Sequence, residues 1–234
     1  PGRIDLGIGR SVAFTKAIRA ALRQGLDAKE RFADDLTELL SYLDGSAAIT
    51  ARPEDRATTP PFVLAMGKSQ EFAAHAGLAV VVGGSAFTGR KPEVARTALQ
   101  RYRDTFRPSS WYAEPYVIAS ANVAVAETTD AARDVLLPEA WAMAASRTVG
   151  DFPPLPPVEA IRSRITPRQQ TIVDEHLAAA VYGTPKEVTE RLVTLLTSTG
   201  ADELIVTTNT FDPATLGDTD QRLAALFELD RPDS

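Results

Sequence analysis

Arginine, lysine and small polar residues stand where two apolar runs of this sequence end. The run Ile4–Gly9 is followed by Arg10, and the run Phe62–Met66 is followed by Gly67-Lys68-Ser69. Ligands bind at the carboxyl ends of parallel strands, where a guanidinium suits phosphate and a glycine-led turn before a helix exposes N–H groups. The two segments therefore predict an anion site. The alternatives are an ion pair of Arg10 with a carboxylate and an ordinary strand-to-helix turn at Gly67.

Two further runs end in small or polar residues. Gly83-Gly84-Ser85 follows the run Ala79–Val82, and glycines allow a ligand to approach the backbone closely. Thr207-Thr208-Asn209-Thr210 ends the run Glu203–Thr207. Side chains and backbone that close an ordinary turn are the alternative at both places.

The chain contains two histidines, His75 and His176, and no cysteine. This composition excludes disulfides, thiolate metal sites, cysteine nucleophiles and a three-histidine centre, so no metal site is predicted. His75 lies within a helical pattern and is interpreted as structural. His176 could reach a ligand at the strand ends, although a solvent-exposed helical histidine is the simpler interpretation. No catalytic residue is identified, and acid–base chemistry would need a histidine, a carboxylate, a tyrosine or a cofactor.

The composition bounds the class of protein. The net charge is −6 and the pI is near 5.1, which argues against general binding to nucleic acid or to a membrane surface. No apolar run approaches the roughly 18 residues that a membrane-spanning helix needs. We therefore expect a soluble, cytoplasmic protein.

Apolar strands alternate with amphipathic helices along the chain. The predicted strands are Ile4–Gly9, Phe62–Met66, Ala79–Val82, Tyr116–Ala126 and Glu203–Thr207, and the predicted helices are Arg31–Leu43, Gln70–Ala76, Pro92–Phe106, Thr128–Ser146, Gln169–Val181, Pro185–Ser198 and Pro213–Leu229. This alternation predicts an α/β fold with a parallel sheet covered by helices. Periodicity leaves open whether the sheet is a barrel or an open sheet. The length is compatible with one large domain or two small ones, and an irregular insertion is expected at about 147–168.

Four segments, in this order, resemble the bacterial luciferase-like flavin monooxygenases, and within them a subgroup that depends on flavin mononucleotide (FMN). They are PGRIDLGIGR, FVLAMGKSQEFAAHAGLAVVV, RYRDTFRPSSWYAEPYVIASANVAVAET and YGTPKEVTERLVTLLTSTGADELIVTTNTFD. The resemblance implies a (β/α)8 TIM barrel, of which this chain would hold about strands 4 to 8 as one domain over residues 1–234. Three preceding units, with a histidine-bearing loop that neither His75 nor His176 matches, would lie before Pro1.

The resemblance also implies a function. Reduced FMN, supplied by a flavin reductase or NAD(P)H, would react with dioxygen and a small organic substrate. Arg10 would bind the FMN phosphate, Ser69 and the backbone of Gly67 and Lys68 would close on it, and Gly83 and Gly84 are further cofactor-binding candidates. A homodimer is expected. The alternatives are an oxidoreductase that uses the deazaflavin F420 and a non-catalytic flavin-binding protein.

Overall fold

A computed structural model describes residues 3–11, 15–25, 27–52, 59–65, 67–88, 91–150 and 152–228. Along the chain the elements are β1 (Leu6–Gly9), α1 (Lys16–Ala21), α2 (Phe32–Asp44), β2 (Pro61–Ala65), α3 (Lys68–Ala76), β3 (Ala79–Gly83), α4 (Ser85–Thr88), α5 (Pro92–Thr105), β4 (Val117–Val125), α6 (Thr129–Val149), α7 (Val158–Arg162), α8 (Pro167–Ala179), β5 (Val181–Gly183), α9 (Pro185–Thr199), β6 (Glu203–Thr207) and α10 (Pro213–Leu226).

The chain divides into two compact units. The first comprises Pro1–Val82 and Val94–Ile118, and the second comprises Gly83–Glu93 and Ala119–Ser234. The expectation of one domain over residues 1–234 stays a prediction.

In the first unit, β1, β2 and β3 are parallel neighbours. Gly9 lies opposite Leu64, and Ala65 lies opposite Val82, so the three strands end at one edge of the sheet. Most residues of β2 and β3 are buried, and Val63 and Val80 have no exposed surface, whereas no residue of β1 is buried and Leu64 of β2 is 50% exposed. The fully buried Tyr102 of α5 donates its hydroxyl to the carbonyl oxygen of Leu78 at 2.9 Å, which ties that helix to the start of β3.

In the second unit, β4 pairs in parallel with β5, where Val123 lies opposite Val181, and β6 also pairs with β4. The core of this unit forms where α6 packs on α8. Its buried side chains include Ala132, Val135, Leu136, Ala140, Trp141, Ala144, Ile161, Val173 and Leu177. Many of these residues are alanines, which allow the two helix backbones to approach closely.

Helix α6 has 21 residues and contains Pro138 in its interior. Thr128 caps its start by accepting a hydrogen bond from the Ala131 N–H at 3.2 Å, and Gly150 ends it in a left-handed conformation with φ of 85°. Across the described part of the chain, no helix combines the length and the apolar character that crossing a membrane requires.

The predicted α/β class with parallel strands is confirmed. The predicted helix Gln169–Val181 is wrong at its end: α8 stops at Ala179, and Val181 lies in β5, a strand too short to show a period of its own. Helix α6 continues to Val149 and α7 forms at Val158–Arg162, so helical turns occupy part of the segment 147–168 that was predicted to be irregular. Met66 and Leu229 lie outside the described residues.

Candidate functional site

Arg10 follows β1 directly, and its half-buried side chain lines a cavity in the first unit. The cavity has a volume of about 340 Å³, and its other walls come from the loop after α1 and from one face of α2. Arg10 makes no ion pair with any residue that the structure describes. The ion pair that was the alternative explanation of Arg10 is therefore not found among the described residues. The guanidinium is available to bind a ligand.

Two more guanidiniums line this cavity, those of Arg23 and Arg31. Arg31 is bonded to Asp35, Nη2 to Oδ1 at 3.0 Å, and this hydrogen bond raises the pKa of Arg31. Arg23 has a φ of 54°, a left-handed conformation that costs a residue other than glycine on the order of 1 kcal/mol. Three arginines against one carboxylate give the cavity a net positive charge, which favours an anion.

The turn after β2 has the form predicted for an anion site. Gly67 has φ of 57° and ψ of −121°, a conformation that glycine adopts most readily, and α3 begins at the next residue, Lys68. Gly67 and Lys68 are exposed, whereas Ser69 is 3% exposed and Gln70 is 5% exposed. The Gln70 Oε1 is buried without a hydrogen-bond partner among the described residues. A buried polar atom of this kind needs a water or a ligand to satisfy it.

Arg10 and the turn lie at the same edge of the sheet, because β1 and β2 are parallel with Gly9 opposite Leu64. Residues 67–69 do not line the cavity of Arg10, however, so the described residues do not gather the two groups into one pocket. The roles of Arg10, Gly67, Lys68 and Ser69 as cofactor-binding residues stay predictions.

Gly84, in the second unit, is explained by packing. Its N–H donates to the carbonyl oxygen of Ser120 at 2.6 Å, and a Cβ at this position would lie 2.7 Å from that oxygen and 3.0 Å from Cδ2 of Leu195. Only glycine allows the chain to approach β4 so closely. A Cβ on Gly83 would meet nothing nearer than the Ser85 Oγ, at 3.7 Å. That Gly83 and Gly84 contact a cofactor stays a prediction.

His176 lines a second-unit cavity of about 290 Å³ together with Gly83 and Gly84. Its imidazole is half-buried, so the simpler interpretation of a solvent-exposed histidine is wrong. Burial lowers the pKa of His176; the negative charge of Glu139 partly opposes this shift, and the positive charge of Arg147 adds to it. His75, by contrast, is exposed on α3.

The polar cluster after β6 is engaged by neighbouring groups of the second unit. Thr207 donates to the Asn122 side-chain oxygen at 3.0 Å, and Thr208 donates to the carbonyl oxygen of Val123 at 2.5 Å. The carboxylate of Glu139 accepts from the side-chain amides of Asn122, at 3.0 Å, and Asn209, at 3.2 Å. These hydrogen bonds connect the end of β6 to β4 and α6. They explain the polar residues of this cluster without a ligand.

A cavity of about 810 Å³ in the second unit has no counterpart in the sequence motifs. It is formed by α6, α10 and the chain before α7. Three of its carboxylates are paired with arginines: Asp134 with Arg162 at 2.7 Å, Asp218 with Arg222 at 2.7 Å, and Glu127 with Arg222 at 3.5 Å. Glu159 and Asp212 also line the cavity and make no ion pair with a described residue, so its walls are acidic and do not indicate an anionic ligand.

Two bacterial proteins are similar to this chain in sequence along most of its length. No family model matches it. The uncharacterized protein YvbT of Bacillus subtilis is 31% identical over 221 residues, which are 92% of this chain and 64% of YvbT. A protein of Escherichia coli K12 named luciferase-like monooxygenase is 27% identical over 219 residues, which are 91% of this chain and 64% of that protein. The chain thus spans less than two thirds of the length of these two relatives.

Solved structures share its fold. The crystal structure of apo-MsnO8 has a TM-score of 0.80 at 28% identity, and the match covers 99% of this chain and 70% of the MsnO8 chain. For two others the identity is low and the likeness concerns the fold alone. The oxygenating constituent of 3,6-diketocamphane monooxygenase from Pseudomonas putida, in complex with FMN, has a TM-score of 0.57 at 16% identity and covers 100% and 73% of the two chains. An F420-dependent secondary alcohol dehydrogenase has a TM-score of 0.56 at 12% identity and covers 99% and 71%.

Proposed function

We propose that this chain, a homologue of the luciferase-like monooxygenases, works as a flavin-dependent monooxygenase that holds the cofactor phosphate at Arg10. In such a reaction one oxygen atom of dioxygen enters a small organic substrate and the other leaves as water. Bound reduced flavin supplies the two electrons. The protein's part is to bind and orient the flavin and to exclude water from the reacting atoms.

One observation carries the proposal: Arg10 is a half-buried arginine without an ion pair to any described residue, at the carboxyl end of a parallel strand. A partly desolvated cation that makes no ion pair is less costly when an anionic ligand binds it. The arginine fork matches the oxygens of a phosphate monoester, and Arg23 adds a second guanidinium in the same cavity.

The turn Gly67-Lys68-Ser69 supplies the second half of the proposed phosphate site. A helix N-terminus with exposed N–H groups favours an anion, and α3 has nine residues. The Ser69 hydroxyl and the Lys68 ammonium are donors and fit a flavin phosphate in their chemistry, whereas the unsatisfied Gln70 Oε1 is an acceptor that needs a donor such as water. FMN and F420 both carry phosphate, so this edge of the sheet suits either cofactor. We favour FMN because the sequence resembles an FMN-dependent subgroup.

Turnover tests the proposal. The protein is supplied with FMN, NADH and an unrelated flavin reductase under ¹⁸O₂, and products from a panel of aldehydes, ketones and alkanes are examined by mass spectrometry. We expect a single ¹⁸O atom in one product, formed only when protein, flavin and reductase are all present. A parallel incubation replaces FMN with reduced F420.

The other outcomes are informative. Bound FMN without any labelled product would favour a non-catalytic flavin-binding protein, and substrate reduction or oxidation only with F420 would favour the deazaflavin alternative. The family resemblance also suggests a homodimer, which light scattering on the purified protein measures directly.

A further inference from the structure

The cavity beside His176 contains a cation that the fold leaves unneutralised. Arg147, in the last turn of α6, lines the cavity and makes no ion pair with any described residue. The acids around His176 are already engaged: both oxygens of Glu139 accept hydrogen bonds from asparagine amides, and Glu175 has a partner of its own. Arg147 is exposed, so its guanidinium has donors that no described carboxylate uses, at the rim of an open cavity.

The imidazole of His176 is the second unused group. Burial lowers the pKa of His176, and the neutral form of an imidazole presents one N–H donor and one acceptor. Gly83 and Gly84 also line the cavity and contribute no side chains to it. The volume of about 290 Å³ equals that of roughly ten water molecules at ~30 Å³ each, which suits a small ligand.

We propose that this cavity binds a small organic carboxylate, held by the Arg147 guanidinium and by the imidazole N–H of His176. Two parallel N–H···O bonds from a guanidinium match the two oxygens of a carboxylate. A monoanion is favoured over a phosphate dianion because Glu139 and Glu175 lie close by and repel a second negative charge. The inference concerns the second unit and does not use Arg10, Gly67, Lys68 or Ser69, although its cavity includes the cofactor-binding candidates Gly83 and Gly84.

The two histidines make the test direct, since His75 is exposed and serves as an internal reference. The imidazole signals are followed by NMR across pH, with and without sodium butyrate as the probe, and His176→Gln assigns them. We expect saturating butyrate to raise the pKa of His176, because a bound anion stabilises the imidazolium, and to leave that of His75 unchanged. The charged and titratable groups around the imidazole are Glu139 and Arg147 of α6 and Glu175 of α8.

Substitutions of two arginines test whether butyrate binds at Arg147. Arg147→Gln should raise the pKa of His176 in the free protein, by removing a nearby positive charge, and should weaken butyrate binding about tenfold or more. Arg147→Lys, which keeps the charge but loses the fork, should bind with intermediate affinity. Arg168→Gln, an exposed arginine of α8, is the matched control and should bind like the wild type.

Several results would overturn the proposal. No saturable butyrate effect at tens of millimolar, equal losses in Arg147→Gln and Arg168→Gln, or equal binding of the neutral butyramide would each refute a carboxylate site. Inorganic phosphate that binds as well as butyrate and shifts the same signal would show that the ligand class is wrong. If Arg147→Gln lowers thermal stability and leaves butyrate affinity unchanged, the arginine serves only the end of α6.

Discussion

Replacement of Arg10 by alanine tests the proposed phosphate site at its centre. A hydrogen bond to a charged group contributes about 1.5–3 kcal/mol, which corresponds to roughly 10- to 150-fold in affinity. Arg10 is half-buried rather than fully enclosed, and Arg23 remains in the cavity to attract the phosphate. We therefore expect Arg10→Ala to weaken FMN binding by about 10- to 30-fold, towards the lower end of that range.

The assay is quenching of flavin fluorescence at low ionic strength, because salt screens a partly exposed charge. Riboflavin, which has the same ring system without the phosphate, is titrated beside FMN. Arg10→Ala should lose FMN affinity and keep its affinity for riboflavin. Arg3→Ala is the matched control, since Arg3 is exposed before the opposite end of β1.

Arg31 provides an internal contrast within the cavity. Its guanidinium is already bonded to Asp35, so Arg31→Ala should change FMN affinity less than Arg10→Ala does. Unchanged FMN affinity in Arg10→Ala, with an unaltered thermal unfolding midpoint, would refute the phosphate assignment. Equal losses for FMN and riboflavin would show that Arg10 acts on the ring or on the fold.

Three further predictions concern stability. Gly84→Ala should lower the free energy of unfolding by about 1–3 kcal/mol in urea titrations, because the added Cβ would lie 2.7 Å from the Ser120 carbonyl oxygen. The control Gly83→Ala should have little effect, since the nearest atom to its Cβ is 3.7 Å away. Equal losses in the two variants would contradict the packing explanation of Gly84. Thr184→Ala removes the cap of α9 and should cost about 1 kcal/mol, measured in the same way, and an unchanged midpoint would show that the cap is dispensable. The pKa of His176 in the folded protein lies below its ordinary value of 6.5. At pH values between these two pKa values, the unfolded chain therefore binds more protons than the folded protein. Stability should therefore be complete above about pH 6.5 and fall as the pH drops towards the folded pKa, and His176→Gln should flatten that part of the profile; an unflattened profile would assign the loss to other groups.

Much of the fold could be predicted because its signals are local. Thr184, Pro185 and Glu187 predict the start of α9 from capping chemistry, and the structure has the capping box, with the Thr184 N–H bonded to Oε2 of Glu187 at 2.8 Å. The missed elements lack such signals. Helix α1 has six residues and β5 has three, and both are too short for a periodic pattern to distinguish them from loops.

The candidate site could be predicted only in part. That Arg10 and Gly67 lie at one edge of the sheet follows from parallel strands, which the apolar runs already indicate. Tertiary packing decides that Arg10 makes no ion pair with a described residue, that Arg23 lines the same cavity, and that His176 is half-buried, and residue spacing does not encode such packing. Gly84 illustrates the same limit, since a glycine after a strand is compatible with ligand approach and with close backbone packing, and here packing explains it.

A crystal structure of the protein with FMN tests the central claim most directly. The account predicts phosphate oxygens within about 3 Å of the Arg10 guanidinium, with the turn at Gly67-Lys68-Ser69 on the other side of the phosphate. A flavin whose phosphate lies away from Arg10, with that guanidinium still unoccupied, would contradict it.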